Sequence, residues 1–191
     1  MGRDLQAQLE ALAAGGNAGE SDPRVAALLA GFERFLDGVA ARDEKIASQM
    51  WVATTYLSLG SGTGSGSVVP KAKASAYLAR AGEVLKGLLA RAEAAPAAGA
   101  EDLSRLVPAI RMKVASVDRE LGRWEDALSQ IDWILSDARR QNALDLQIQA
   151  AETLQAAGQG AADPAAAARW LKEAIAGRKS GGGVAWGWGG I

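Results

Sequence analysis

Residues 114–135 read VASVDRELGRWEDALSQIDWIL, and this stretch decides the fold. Apolar side chains recur at helical spacing on both sides of Gly122. Val114, Val117 and Leu121 precede it, continuing a row begun by Leu106 and Ile110, while Ala127, Leu128, Ile131, Ile134 and Leu135 follow it. A lone glycine between two such rows leaves room only for a tight turn, so the two helices fold back on each other. Ala115 and Ala127 mark where they meet, since a bulky side chain at either would hold the helices apart.

Outward from this hairpin, three segments share one spacing, a small residue with glycine seven positions later: Ala53…Gly60, Ala115…Gly122 and Ala151…Gly158. The last two alanines stand about 36 residues apart, close to the period of about 34 residues that marks helix–turn–helix solenoids. The first interval is longer because a Gly/Ser segment, 61–67, and a loop at 95–100 intervene.

The remaining helices follow from caps and periodicity. A short helix is expected over 4–14, ended by Gly15 and Gly16. Asp22 and Pro23 form a cap-plus-proline start. From it runs a stripe of Val25, Leu28, Leu29, Phe32, Leu36 and Val39. A helix over 43–59 places Ile46, Met50, Ala53 and Leu57 on one face, with Trp51 and Tyr56 beside it and Gly60 as its C-terminal cap. The helix over 71–95 buries Leu78, Ala81, Leu85, Leu88 and Leu89. Pro108 belongs in the first turn of the helix that leads to Gly122. A helix over 142–157 carries Leu144, Ile148, Ala151 and Leu154, and a small loop from Gly158 to 162 follows. Asp163 and Pro164 then start a last helix that buries Ala167, Leu171, Ala174 and Ile175, with Trp170 at its flank.

The expected fold is therefore all-α, an antiparallel helix-hairpin stack of about seven or eight helices. It divides into a weak N-terminal helix and linker at 1–22, a helical repeat domain at 23–179, and a Gly/Trp-rich tail at 180–191 that reads as the start of a further helix.

The unit Ala115-x2-Asp118-x3-Gly122-x-Trp124-x2-Ala127-x3-Ile131 resembles a tetratricopeptide (TPR) repeat. In that family a small residue lets the hairpin helices approach, a glycine turns the chain, an aromatic follows, and an alanine fits the close crossing. Ala115, Gly122, Trp124 and Ala127 stand at those places, and units at 44–95, 101–139 and 142–178 follow the same plan. Asp118 stands where an aromatic or leucine is usual, a place that Tyr56 and Leu154 fill in the neighbouring units. Arg111 replaces a common apolar residue and Arg139 the terminal proline. The resemblance implies a concave face lined by first helices, so Met112, Lys113, Ser116, Arg119 and Glu120 would meet a protein or peptide partner. The lysine–asparagine clamp that some members use for C-terminal carboxylates is not evident, with Met112 and Ser116 in the corresponding places.

Composition narrows the chemistry. With no cysteine and no histidine, disulfides, thiol nucleophiles, Cys/His zinc sites and imidazole-based triads are excluded. Lys+Arg at 21 nearly balances Asp+Glu at 22, so no basic surface for nucleic acid is expected. No apolar run is long enough for a transmembrane helix and the first residues lack a signal-peptide core, which makes the cytoplasm the default. The run at 60–67 lacks the glycine-lysine pair of a phosphate loop and reads as linker. The pairs Asp43/Glu44, Glu101/Asp102 and Glu125/Asp126 lie near helix starts, where they favour the positive end of the dipole. Trp51 and Trp133 are candidate exposed anchors.

No catalytic, cofactor-binding or metal site is expected. The favoured function is a non-enzymatic scaffold for protein–protein interaction. One alternative is a structural spacer within a much larger repeat protein. The other is a carboxylate-based helical hydrolase, which requires two acids converging in a cleft.

Overall fold

The computed structural model describes residues 4, 6–9, 11, 22–42, 45–62, 69–94, 103–136, 152–156, 158–159, 165 and 168, the side chains of 103, 104, 135 and 136 excepted. Among them every regular element is helical and no strand occurs, so the fold is all-α. The chain divides into two compact units, Met1–Ser104 and Arg105–Ile191.

The first unit contains three long helices: α1 (Pro23–Arg42), α2 (Ile46–Ser61) and α3 (Lys71–Ala94). Asp22 caps α1 as its sequence predicts, with Oδ1 accepting the Arg24 N–H at 2.8 Å and Pro23 beginning the helix. The stripe of Val25, Leu29, Phe32 and Leu36 is buried, whereas Leu28 and Val39 lie at its half-buried margin.

Helix α2 packs against both α1 and α3. It therefore buries a broader and rotated arc than the expected stripe. Val52, Ala53, Thr55, Tyr56 and Leu59 are buried, while Ile46, Met50 and Leu57 are only half-buried. A helix covered on two sides has no single apolar face for periodicity to reveal.

The end of α2 corrects the role expected of Gly60. The helix runs on to Ser61, and Gly62, in the left-handed conformation at φ 69°, is the cap. Gly60 lies within the last turn, where a Cβ would sit 2.5 Å from Leu78 Cγ and 2.9 Å from the Ala74 carbonyl oxygen. Gly60 is the point at which α2 and α3 nearly touch.

The second unit contains α4 (Val107–Glu120) and α5 (Trp124–Ser136), packed as a hairpin. A 3₁₀ turn, Leu103–Leu106, leads into α4. Pro108 lacks an N–H and its ring clashes with a carbonyl one turn back, so the α-helix starts only at Val107. That change of pitch turns Leu106 outward, at 39% exposure, and removes it from the expected core.

Gly122 behaves as expected. With φ 71° it closes α4 by donating to the Arg119 carbonyl, while the Arg123 N–H donates to the Asp118 carbonyl at 2.8 Å. This pair of bonds is a Schellman motif. Buried Asp118 is held a second time by Arg123, whose Nη1 lies 3.7 Å from its carboxylate. The acid that departs from the repeat pattern thus fastens the turn. Ala115, Ala127 and Ile131 form the crossing, all buried, and Trp124 is half-buried. Glu125 and Asp126 occupy the first turn of α5, where the dipole favours them.

Beyond α5, Leu154 is buried and Gly158 is buried and helical, not part of a loop. Ala151, Arg139, Trp170, Trp186, Trp188, the 63–67 part of the Gly/Ser run and the pairs Asp43/Glu44 and Glu101/Asp102 lie outside the described residues.

Candidate functional site

A concavity of the first unit offers a candidate site. Helices α1 and α3 flank α2 and leave between them an open cleft of about 600 Å³. Along α3 the lining positions are 80, 83, 84, 87, 88 and 91, one continuous helical face. Asp37, Ala40 and Ala41 of α1 form the opposite wall, and Gln49 and Tyr56 of α2 form the floor.

At one end the cleft meets a smaller cavity of about 290 Å³, to which Asp37, Tyr56 and Arg80 also contribute. Its remaining walls are Glu33, Lys73, Ala76 and Tyr77. Here a polar network ties the three helices together. Lys73 Nζ donates to Glu33 Oε1 at 2.8 Å, and the Tyr77 hydroxyl donates to the same oxygen. The Tyr56 hydroxyl donates to Asp37 Oδ1 at 2.8 Å, and the two tyrosine rings stack with centroids 5.9 Å apart. Gln49 Nε2 adds a bond to the Ala40 carbonyl at 2.8 Å, fixing the far end of α1 to α2.

The network sets the protonation states. Burial raises the Glu33 pKa, but hydrogen bonds from Lys73 and Tyr77 outweigh it and leave the carboxyl below its ordinary value. Burial, then the hydrogen bonds to Asp37 and Glu33, push the Tyr56 and Tyr77 phenols well above theirs. Near neutral pH the site thus presents an ionised Glu33 and two protonated tyrosines.

This arrangement is directly measurable because the chain has only two tyrosines. A group whose folded-state pKa is raised contributes stability that is complete below its unfolded value, about pH 10 for tyrosine, and is lost as pH rises through the folded value. Tyrosinate absorbance of the native protein is expected to rise only above pH 10, and that of the urea-unfolded chain near 10. A native titration centred at 10 would refute the network.

The face expected from the sequence to meet a partner lies on α4. Positions 112, 113, 116, 119 and 120 do share one face of that helix. Met112, however, packs against the Ala115–Ala127–Ile131 cluster. The Ser116 hydroxyl donates to the Met112 carbonyl at 3.0 Å, and Arg119 Nη2 lies 3.6 Å from Glu120. Lys113 is half-buried and Glu120 exposed. Of the two candidate tryptophans, Trp51 is half-buried, with its ring 6.4 Å from that of Phe32 and 6.1 Å from that of Phe35. It seals α1 onto α2. Trp133 is 40% exposed, with the Arg111 guanidinium 4.1 Å above its ring. Arg111 also donates to Gln130 at 2.7 Å, which gives a polar residue a place at that position.

Of the cleft residues, the sequence singled out Tyr56, as a repeat position, and Leu88, as part of the buried stripe of α3. A signal was present in the spacing of Glu33 with Asp37 and of Lys73 with Tyr77 and Arg80, which places each set on one helix face. Among the described residues no group of acids could hold a metal ion, and no helix is long and apolar enough to cross a membrane. The chain matches no family model, and neither a curated protein nor a solved structure is found similar to it.

Proposed function

We propose that this chain is a non-enzymatic helical-repeat scaffold of TPR-like construction that binds a segment of a partner protein. The observation that carries the reading is the cleft between α1 and α3. It is open, floored by a tyrosine held in place by Asp37, and walled by aliphatic and small residues with charges of both signs. Such a surface recognises shape and scattered charge. The α4 face with Lys113 and Arg119 is a second contact surface in this reading.

One observation favours the hydrolase alternative: Glu33 and Asp37 both line the smaller cavity. Two acids in a cavity are what such chemistry requires, but one must keep its proton near neutral pH to serve as the acid. Glu33 is held ionised by Lys73 and Tyr77, and Asp37 accepts the Tyr56 proton donor, so both carboxylates bond to the scaffold itself.

Affinity capture from source cells with three baits tests the proposal: the unaltered chain, a cleft variant carrying Glu83→Lys and Arg91→Glu, and an α4 variant carrying Lys113→Glu and Arg119→Glu. Partners held by the unaltered chain are expected to be lost from at least one variant. Retention of every partner by both variants would overturn the scaffold reading at these faces.

A further inference from the structure

We infer that the occupant of the cleft is an amphipathic α-helix of a partner protein, about three turns long, with basic residues along one edge and acidic residues along the other. This rests on the scaffold reading and specifies what the scaffold holds.

Length comes from α3. The open stretch runs from Arg80 to Arg91, which at a rise of 1.5 Å per residue is about 17 Å, or three helical turns. Secondary structure in the guest follows from hydrogen bonding. The walls are helices whose backbone groups already bond within themselves, and no strand edge borders the cleft among the described residues. An extended guest would have to leave backbone donors and acceptors to water or to scattered side chains. A helix brings its own backbone bonds and needs only side-chain contact.

Close approach is provided for. Ala40, Ala41 and Gly87 keep the lining shallow, and a Cβ on Gly87 would meet no atom within 4 Å. A glycine in the middle of α3 costs about 1 kcal/mol relative to alanine, and here it gains no packing inside the fold.

Charge sets the guest's edges. Among the described lining residues of the cleft, the α1 wall presents Asp37 and no base. Along the same stretch the α3 wall presents Arg80 and Arg91 against one acid, Glu83, which pairs with Arg80 at 3.0 Å. At the narrow end, the Lys73–Glu33 bond joins the two walls, so the guest lies towards the Arg91 end. A guest with one basic and one acidic edge satisfies both walls. Turning it end for end exchanges its edges, so the walls also fix the direction in which it docks. A guest with the same sign on both edges meets repulsion at one wall.

The test uses synthetic helical peptides with an alanine–leucine stripe: one with a lysine edge and a glutamate edge, one with lysine on both, one with glutamate on both, and a proline-interrupted form of the first. Binding to the whole chain is followed by calorimetry at low salt. The mixed helix is expected to bind at least tenfold more tightly than the other three. Arg91→Glu, at an exposed position, is expected to shift the preference towards the all-lysine helix. Gly87→Leu, which projects a side chain from the α3 wall at a site that tolerates a helix former, is expected to weaken the mixed helix at least tenfold. Equal binding of all helices, undiminished binding by Gly87→Leu, or equal binding of the interrupted peptide overturns the inference. If Gly87→Leu strips natural partners while no synthetic helix binds, the helical guest is wrong and the scaffold reading stands. If neither occurs, both fall.

Discussion

Gly60→Ala is expected to destabilise the first unit by about 2–3 kcal/mol, although alanine is the better helix former. The added methyl would lie 2.5 Å from Leu78 Cγ, 2.8 Å from Leu78 Cδ2 and 2.9 Å from the Ala74 carbonyl oxygen. Leu78 is buried and cannot swing clear, and the carbonyl belongs to the α3 backbone. The two helices would have to separate, and interiors at native density do not absorb such a shift cheaply. Urea unfolding of Gly60→Ala and of the double variant with Leu78→Ala separates the two clashes. The second change removes the leucine contact but leaves the carbonyl, so it cannot restore stability and adds a cavity cost of its own. Gly31→Ala supplies the contrast. It lies within α1, with nothing within 4 Å of the added methyl, and is expected to stabilise by about 0.5–1 kcal/mol through helix propensity. If Gly60→Ala proved as stable as the unaltered chain, the close crossing of α2 and α3 would be wrong.

The contrast between Gly60 and Gly122 also shows what the sequence could carry. Each follows a buried alanine at the same spacing, yet Gly122 turns the chain and Gly60 lies inside a helix. Turn chemistry is local. A Schellman closure needs a glycine, the carbonyls just before it and a helix starting just after, and all of these are visible around Gly122. A close approach depends on a residue some fourteen or more positions away in another helix, and nothing beside Gly60 announces Ala74. The same division runs through the rest of the fold. Asp22 with Pro23, and Pro108, fixed helix starts because their constraints act within one turn. The buried arc of α2 was misplaced because two neighbours cover it. The cleft was not legible because it arises between α1 and α3, which no local pattern pairs, and Lys73 stands 40 positions from the Glu33 it bonds. Only the i, i+4 placement of its charges within each helix could be read.

The hairpin of the second unit offers the sharper test of the geometry from which the fold was read. Ala127→Leu is expected to cost about 3 kcal/mol, the upper part of the range for overpacking a buried site. Ala127 is fully buried and shares a cluster with Ala115 and Ile131, with Met112 against its edge. A leucine there must either expel Ile131 or push α5 away from α4. The second movement would strain the Gly122 turn and the Asp118–Arg123 fastening that closes it. Removing volume from the same cluster should therefore relieve part of the cost. Ile131→Ala alone is expected to lose about 2–5 kcal/mol by leaving a cavity. Combined with Ala127→Leu, it should lose clearly less than the two single costs added together, because the new side chain occupies the space the old one vacates. Denaturant unfolding of the four chains forms a complete cycle. Additive losses would mean that positions 127 and 131 do not share a space, and the hairpin crossing inferred from Ala115 and Ala127 would have to be abandoned.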